Sequence, residues 1–182
     1  MKQSDVDNLT KSAEAFFSVN NHHLPEKDVI WDVTDFGLGN IYESGLVSVI
    51  LSNHEEYCEK LMYATEGMSV PVHYHKKKKK DIVCKVGSLN IFFYCNQSMN
   101  HCFQHYIKVK KNDKYIDIIC DDYVYLIAGE RITIDPGIAH CYVAMSDEVI
   151  YGEISNCNDD HNDNFFIDDD IKVIRFPDIE SD

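Results

Sequence analysis

From Val29 onward the chain is cut into short runs rich in Val, Ile, Tyr and Phe, each ended by a turn former. The runs cover residues 46–51, 60–64, 82–86, 89–94, 115–119, 123–127, 131–134, 140–144 and 149–154, and Gly37, Gly45, Gly67, Gly87, Asn112, Gly129 and Gly137 fall between them. β-Branched and aromatic residues pack well on a pleated surface, and runs this short cannot make stable helices. Many short strands with tight connections predict a mainly β fold of sandwich or jelly-roll barrel type. Only the opening stretch departs from this pattern. Val6, Leu9, Ala13, Phe16 and Phe17 recur at helical spacing, which predicts one short amphipathic helix over about residues 4–21. With 182 residues, 45% of them apolar, the chain has material for one well-filled core. No long-period repeat or linker divides it. The expected organisation is a single domain over residues 1–182: an N-terminal helical extension (1–28), the barrel (29–155) and an acidic C-terminal segment (156–182). Phe165, Phe166, Ile167, Ile171, Val173, Ile174 and Phe176 should pack that segment back on the barrel.

A net charge of −14 argues against a nucleic-acid partner, because phosphate binding needs a cationic surface. The N-terminus is polar and acidic, with neither the apolar stretch of a signal peptide nor the roughly 20 apolar residues of a membrane span, so no membrane partner is expected. The seven cysteines (Cys58, Cys84, Cys95, Cys102, Cys120, Cys141, Cys157) are odd in number and form no CxxC pair. They read as packed thiols in a reducing, cytoplasmic setting. One local feature runs against the acidic balance: Lys76 to Lys80 form a cationic run, readable as a solvated loop or a nuclear-import signal.

Two segments carry chemistry. In the first, Gly67 is followed after five residues by His73-Tyr74-His75, after four more by Lys80, and after six more by Gly87. Residues two apart on a strand share a face, so His73 and His75 can offer two imidazole nitrogens to one metal. In the second, Gly129 leads to Pro136-Gly137 and His140, a turn that delivers a third imidazole onto the next strand. An HxH alone is a weak signal; joined to the later PGxxH it is much stronger. The pair resembles the two-part cupin signature, whose first motif supplies two histidines and a glutamate and whose second supplies another histidine. The glutamate position holds Lys80, and a protonated amine is no metal ligand.

Further stretches are similar to the D-lyxose isomerases of the cupin superfamily: Trp31-Asp32-Val33-Thr34-Asp35-Phe36-Gly37, Gly45-Leu46, Tyr57-Cys58-Glu59-Lys60-Leu61-Met62 and Pro71-Val72-His73-Tyr74-His75. Gly152-Glu153-Ile154-Ser155, the segment from Asn158 to Phe165, and Arg175-Phe176-Pro177-Asp178-Ile179-Glu180 continue the similarity in order. The resemblance implies a single cupin barrel and an aldose–ketose isomerase. Such an enzyme interconverts D-lyxose and D-xylulose, often D-mannose and D-fructose as well, with Mn2+ or another divalent ion such as Zn2+. It places His73, His75 and His140 on the metal, with Lys80 where the fourth ligand, a glutamate, is expected. It places Lys60, Lys78 and Asp160 on the sugar, and Glu153, Lys60 and Asp163 in catalysis. By the same analogy the chain is expected to form a homodimer, with a small-molecule sugar as its other partner.

Moving a proton between C1 and C2 of an open-chain sugar needs a base beside a weakly acidic C–H and a stabiliser for the enediolate oxygen. Glu153 could be the base, a divalent ion the stabiliser and Lys60 a source of hydrogen bonding or charge. An inward-pointing Lys80 would set an ammonium beside the dication, costing several kcal/mol at about 4 Å for an effective dielectric near 20. Three arrangements avoid that cost. Asp81 takes over if the strand slips by one residue; three histidines hold the ion alone; or the chain binds a sugar or metal without turnover. An iron-dependent dioxygenase would use similar histidines, but the C-terminal motif and Lys60 speak against it.

Overall fold

The computed structural model describes residues 1–95, 106–156, 159 and 162–171. Helix α1 (Gln3–Val19) is followed by β1 (Ile30–Thr34), β2 (Leu46–Asn53), β3 (Cys58–Thr65), β4 (Ser69–Tyr74), β5 (Lys80–Val86) and β6 (Ser88–Tyr94). Then come β7 (Tyr106–Lys111), β8 (Lys114–Ile119), β9 (Asp122–Ile127), β10 (Arg131–Ile134), β11 (Ala139–Ala144), β12 (Glu148–Ser155) and β13 (Phe165–Phe166). They form an eight-stranded sheet ordered β1-β2-β3-β12-β5-β10-β7-β8 and a five-stranded sheet ordered β13-β4-β11-β6-β9. The fold is mainly β with one N-terminal helix, as the strand and turn pattern predicts. The ladders form two sheets, as in a jelly roll, and do not close into one continuous cylinder.

Alternation along the strands builds the core. In β7, Ile107 and Val109 point inward while Tyr106 and Lys108 face solvent; in β9, Val124 and Leu126 point inward between exposed neighbours. That period of two fixes register, because a one-residue slip would expose the apolar set. Helix α1 buries Val6, Leu9, Ala13 and Phe17. The Phe17 ring is stacked with Trp31 at 6.5 Å and meets Tyr63 edge-on, also at 6.5 Å. The helix is thereby fixed to β1 and β3.

In the described part of the C-terminal segment Phe166 and Ile171 pack against the core, whereas Ile167, also expected to pack there, is 51% exposed. β13 pairs with β4, aligning Phe165 with Tyr74 and Phe166 with His73, and Phe166 meets Phe36 at 5.7 Å. Val173, Ile174 and Phe176 lie outside the described residues. The reading of every cysteine as a packed thiol needs correction. Cys95 and Cys120 are joined in a disulfide, with Cα atoms 5.4 Å apart, because antiparallel pairing of β6 with β9 brings residues 25 positions apart side by side. Cys58, Cys84 and Cys141 are buried; Cys102 and Cys157 fall outside the described residues. No helix among the described residues is long and apolar enough to cross a membrane.

Candidate active site

The site begins with the register of β4 against β11, which sets His73 directly opposite His140. His75 lies two residues beyond His73, on the same side of the chain. Gly137, at φ 85°, makes the turn before β11 and donates its backbone N–H to the His75 carbonyl at 2.6 Å. That conformation is strained for a residue with a Cβ. The three imidazoles therefore converge, with ring centroids 4.5 Å apart for His73 and His140, 5.3 Å for His73 and His75, and 6.4 Å for His75 and His140.

Each ring is oriented by a backbone carbonyl behind it. Nδ1 of His73 meets the Pro71 oxygen at 2.8 Å, Nδ1 of His140 meets the Ile138 oxygen at 2.8 Å, and Nδ1 of His75 meets the Asp163 oxygen. A carbonyl can only accept, so each Nδ1 carries a hydrogen and, in a neutral ring, each Nε2 presents a bare lone pair to the pocket. The rings are neutral because burial, reinforced by the Lys80 ammonium, pushes His73 down to about 3 and His75 to about 2. The same causes hold His140 well below the ordinary histidine value.

Those lone pairs face the residue that breaks the cupin pattern. The Lys80 ammonium lies 3.2 Å from His73 Nε2 and 3.3 Å from His75 Nε2. His140 Nε2 sits 3.0 Å from the Tyr142 hydroxyl, which burial keeps protonated and able to donate. Tyr142 was not foreseen as part of the site, although its place two residues after His140 on one strand puts it on the same face.

Glu153 closes the other side. β12 lies between β3 and β5, and its register aligns Glu153 with Lys60 on one side and with Ile82 on the other. The carboxylate stands 3.6 Å from the Lys78 ammonium and 3.5 Å from that of Lys80. Burial alone would raise its pKa; the positive charges of Lys80, Lys78 and Lys60 outweigh that and hold it well below the usual carboxylate range. Lys60 reaches Asp32 at 3.4 Å. Asp32, buried on β1, is a second residue that sequence reasoning missed, since its strand shows no clean alternation.

Several expectations are altered by the geometry. The lysine run is not a solvated loop throughout, because Lys78 and Lys80 are each only 3% exposed while Lys76, Lys77 and Lys79 face outward. No slip occurs at Lys80. It aligns with Ile134 and Ser155 while Asp81 points to the other face, 3.7 Å from Arg131, so Asp81 does not replace the missing glutamate. Asp163 is buried, but its carboxylate accepts the backbone N–H groups of Lys76 at 2.9 Å, Lys77 at 3.0 and 3.1 Å and Lys78 at 2.8 Å. It therefore positions the lysine turn and, through its own carbonyl, His75; its oxygens are committed to amides rather than aimed at a substrate. Asp160 lies outside the described residues.

Loss of the Asp163 carboxylate leaves three backbone amides without that acceptor. At roughly 1.5–3 kcal/mol for a hydrogen bond to a charged group, partly recovered by water, Asp163→Ala is expected to cost about 3 kcal/mol. That corresponds to a Tm drop of roughly 10 °C for a domain this size. Thermal and urea unfolding of the variant check this; an unchanged midpoint would show that the turn holds without Asp163.

His73, His75, Lys60, Lys78, Lys80, Tyr142 and Glu153 line one open-mouthed pocket, with Thr34, Phe36, Phe166 and Asn164 among its other walls. The donor set does not fit a divalent ion. Metal–nitrogen bonds of about 2.0–2.1 Å from the Nε2 atoms would put the ion within the space that the Lys80 ammonium fills.

The family model for D-lyxose isomerase matches residues 26–182. The chain belongs to the D-lyxose isomerase family. Within the family, a Thermosediminibacter oceani protein named D-lyxose/D-mannose isomerase is 28% identical over 188 residues, spanning 99% of each chain. An Escherichia coli protein of the same name is 26% identical over 208 residues, covering 92% of this chain and 88% of its own. The Cohnella laeviribosi D-lyxose ketol-isomerase is 29% identical over 157 residues, covering 83% and 82%. Among solved structures, the Acinetobacter L-ribose isomerase in complex with L-ribose shares the fold at a TM-score of 0.68 and 13% identity, covering 93% of both chains. The architecture of this D-lyxose isomerase family member is thus the one seen in that solved structure.

Proposed function

We propose that the protein is an aldose–ketose isomerase that interconverts D-lyxose and D-xylulose, and D-mannose and D-fructose, by enediol proton transfer. The observation that carries this reading is Glu153: a buried carboxylate between the Lys78 and Lys80 ammoniums, in the wall of an open-mouthed pocket in a member of this family. D-Lyxose and D-mannose have the same configuration at C2 and C3 and differ by one distal CHOH group, so one set of contacts at the reacting carbons serves both.

In the open-chain aldose, Glu153 takes the proton from C2. The electron pair forms the C1–C2 double bond, and the carbonyl pair moves onto O1. The Lys78 and Lys80 ammoniums flank the carboxylate and face the region where that oxyanion develops, which favours it over the neutral carbonyl. The O2 proton passes to O1, C2 becomes the carbonyl carbon, and Glu153 returns its proton to C1. C1 is reduced and C2 oxidised, so the step needs no external oxidant or reductant. Lys60, paired with Asp32, supplies a further donor at the pocket wall.

The test is incubation of the purified protein with D-lyxose and with D-mannose, following ketose formation by chromatography. Appearance of D-xylulose and D-fructose supports the reading. A sugar that binds, seen as a rise in Tm, yet never forms ketose would instead mark the pocket as a binding module.

A further inference from the structure

We propose that the Lys80 ammonium is the built-in cation of this pocket: it takes the place of a divalent ion among the histidines and leaves the site metal-independent. The geometry is that of a cation in a prepared cage. An ammonium has three N–H donors, and three acceptors surround this one: His73 Nε2 at 3.2 Å, His75 Nε2 at 3.3 Å and Glu153 Oε2 at 3.5 Å. The backbone carbonyls that accept from Nδ1 of His73 and His75 turn the Nε2 lone pairs into the pocket, and the orientation that would serve an ion serves an ammonium equally well.

Lys80 is held there by the sheet. β5 is hydrogen-bonded on both sides, to β10 and to β12, and in it Lys80, Ile82 and Cys84 are buried while Asp81 and Val83 between them are less so. The side chain is 2% exposed, so swinging out to admit an ion would require it to leave the sheet interior. Asp81 faces Arg131 and offers no replacement carboxylate. The positive charge that stabilises an enediolate thus comes from the chain itself, with Lys78 at 3.6 Å from the same carboxylate as a second contributor.

The catalytic half of this proposal rests on the isomerase reading; the exclusion of metal does not. The experiment therefore measures metal binding first. The chelator-treated, dialysed protein is titrated with Mn2+ and with Zn2+ beside Lys80→Glu, with bound metal read by elemental analysis and, for Mn2+, by electron paramagnetic resonance. The unaltered protein is expected to retain less than about a tenth of an equivalent at micromolar metal. Lys80→Glu, which restores a carboxylate beside three histidines, is expected to bind one equivalent at least about 100-fold more tightly. One tightly bound equivalent in the unaltered protein overturns the proposal whether or not the variant folds, and so does a folded variant with no gain in affinity. If the protein turns over sugar, excess chelator should leave its rate unchanged and Lys80→Met should lower it at least about 100-fold; loss of activity on chelation also overturns the proposal. Silence toward every sugar, with or without Mn2+, would defeat the isomerase reading and the catalytic half that rests on it, while the titration still decides metal exclusion.

Discussion

Glu153→Gln is expected to lower kcat for D-lyxose by about a thousandfold, within the 10²–10⁴ range of a positioned general base. The amide keeps the size and planarity of the carboxylate but has no site to take the C2 proton. A second consequence follows from the charges around it. Lys78 and Lys80 stand 3.6 and 3.5 Å from the carboxylate in a buried setting. Removing one partner of a buried ion pair typically destabilises by about 3–5 kcal/mol. Kinetics should therefore be measured well below the variant's Tm, beside Glu153→Asp, which keeps the charge and withdraws it by one methylene. The aspartate variant should stay folded and lose about 10- to 100-fold in kcat. A glutamine variant that is folded and retains more than about a tenth of the activity would remove Glu153 from the role of base.

Between pH 6.5 and 4 the protein should lose stability at about 4 kcal/mol per pH unit, an upper figure set by three buried histidines. The sign follows from proton counts. In the unfolded chain each histidine titrates near the ordinary value of 6.5; in the folded protein His73 is held to about 3, His75 to about 2 and His140 well below 6.5. The unfolded state therefore binds up to three more protons in that window, and falling pH favours it. Full stability is present above about pH 6.5 and drains away below it. Glu153 adds in the same direction at lower pH, since its folded value lies below the ordinary 4.5. Single domains are stable by roughly 5–15 kcal/mol in total, so unfolding without denaturant is expected two to three pH units below neutrality. Urea midpoints taken across this range check the slope, and His75→Gln should reduce it by about one proton, or ~1.4 kcal/mol per pH unit. A midpoint that stays flat down to pH 4.5 would mean that the imidazoles take up protons in the native state.

Much of this was legible in the sequence because it depends on local periodicity. The helix expected over 4–21 is found at Gln3–Val19, and the strand expected over 131–134 is β10 itself. The convergence of His73, His75 and His140 could be foreseen, because HxH sets two side chains on one face and Pro136-Gly137 turns the chain back toward them. β7 was missed, since lysines alternate with only two inward apolar residues and the run reads as polar. What decides the chemistry was less visible. A run of five lysines looks like one charged surface, whereas the start of β5 buries Lys80, the turn held by Asp163 buries Lys78, and Lys76, Lys77 and Lys79 stay exposed. The role of Asp163 depends on a contact between residues more than 80 positions apart, which no local pattern encodes.

The most direct test follows D-lyxose by carbon and proton NMR in 2H2O with the protein present, both after chelator treatment and with Mn2+ added. D-Xylulose accumulating to the aldose–ketose equilibrium is the expected result, and in the chelated sample it would also support the lysine-based site. An aldose spectrum in which no ketose appears and the C2 proton never exchanges, in either sample, would contradict the assignment of this pocket to proton transfer between C1 and C2.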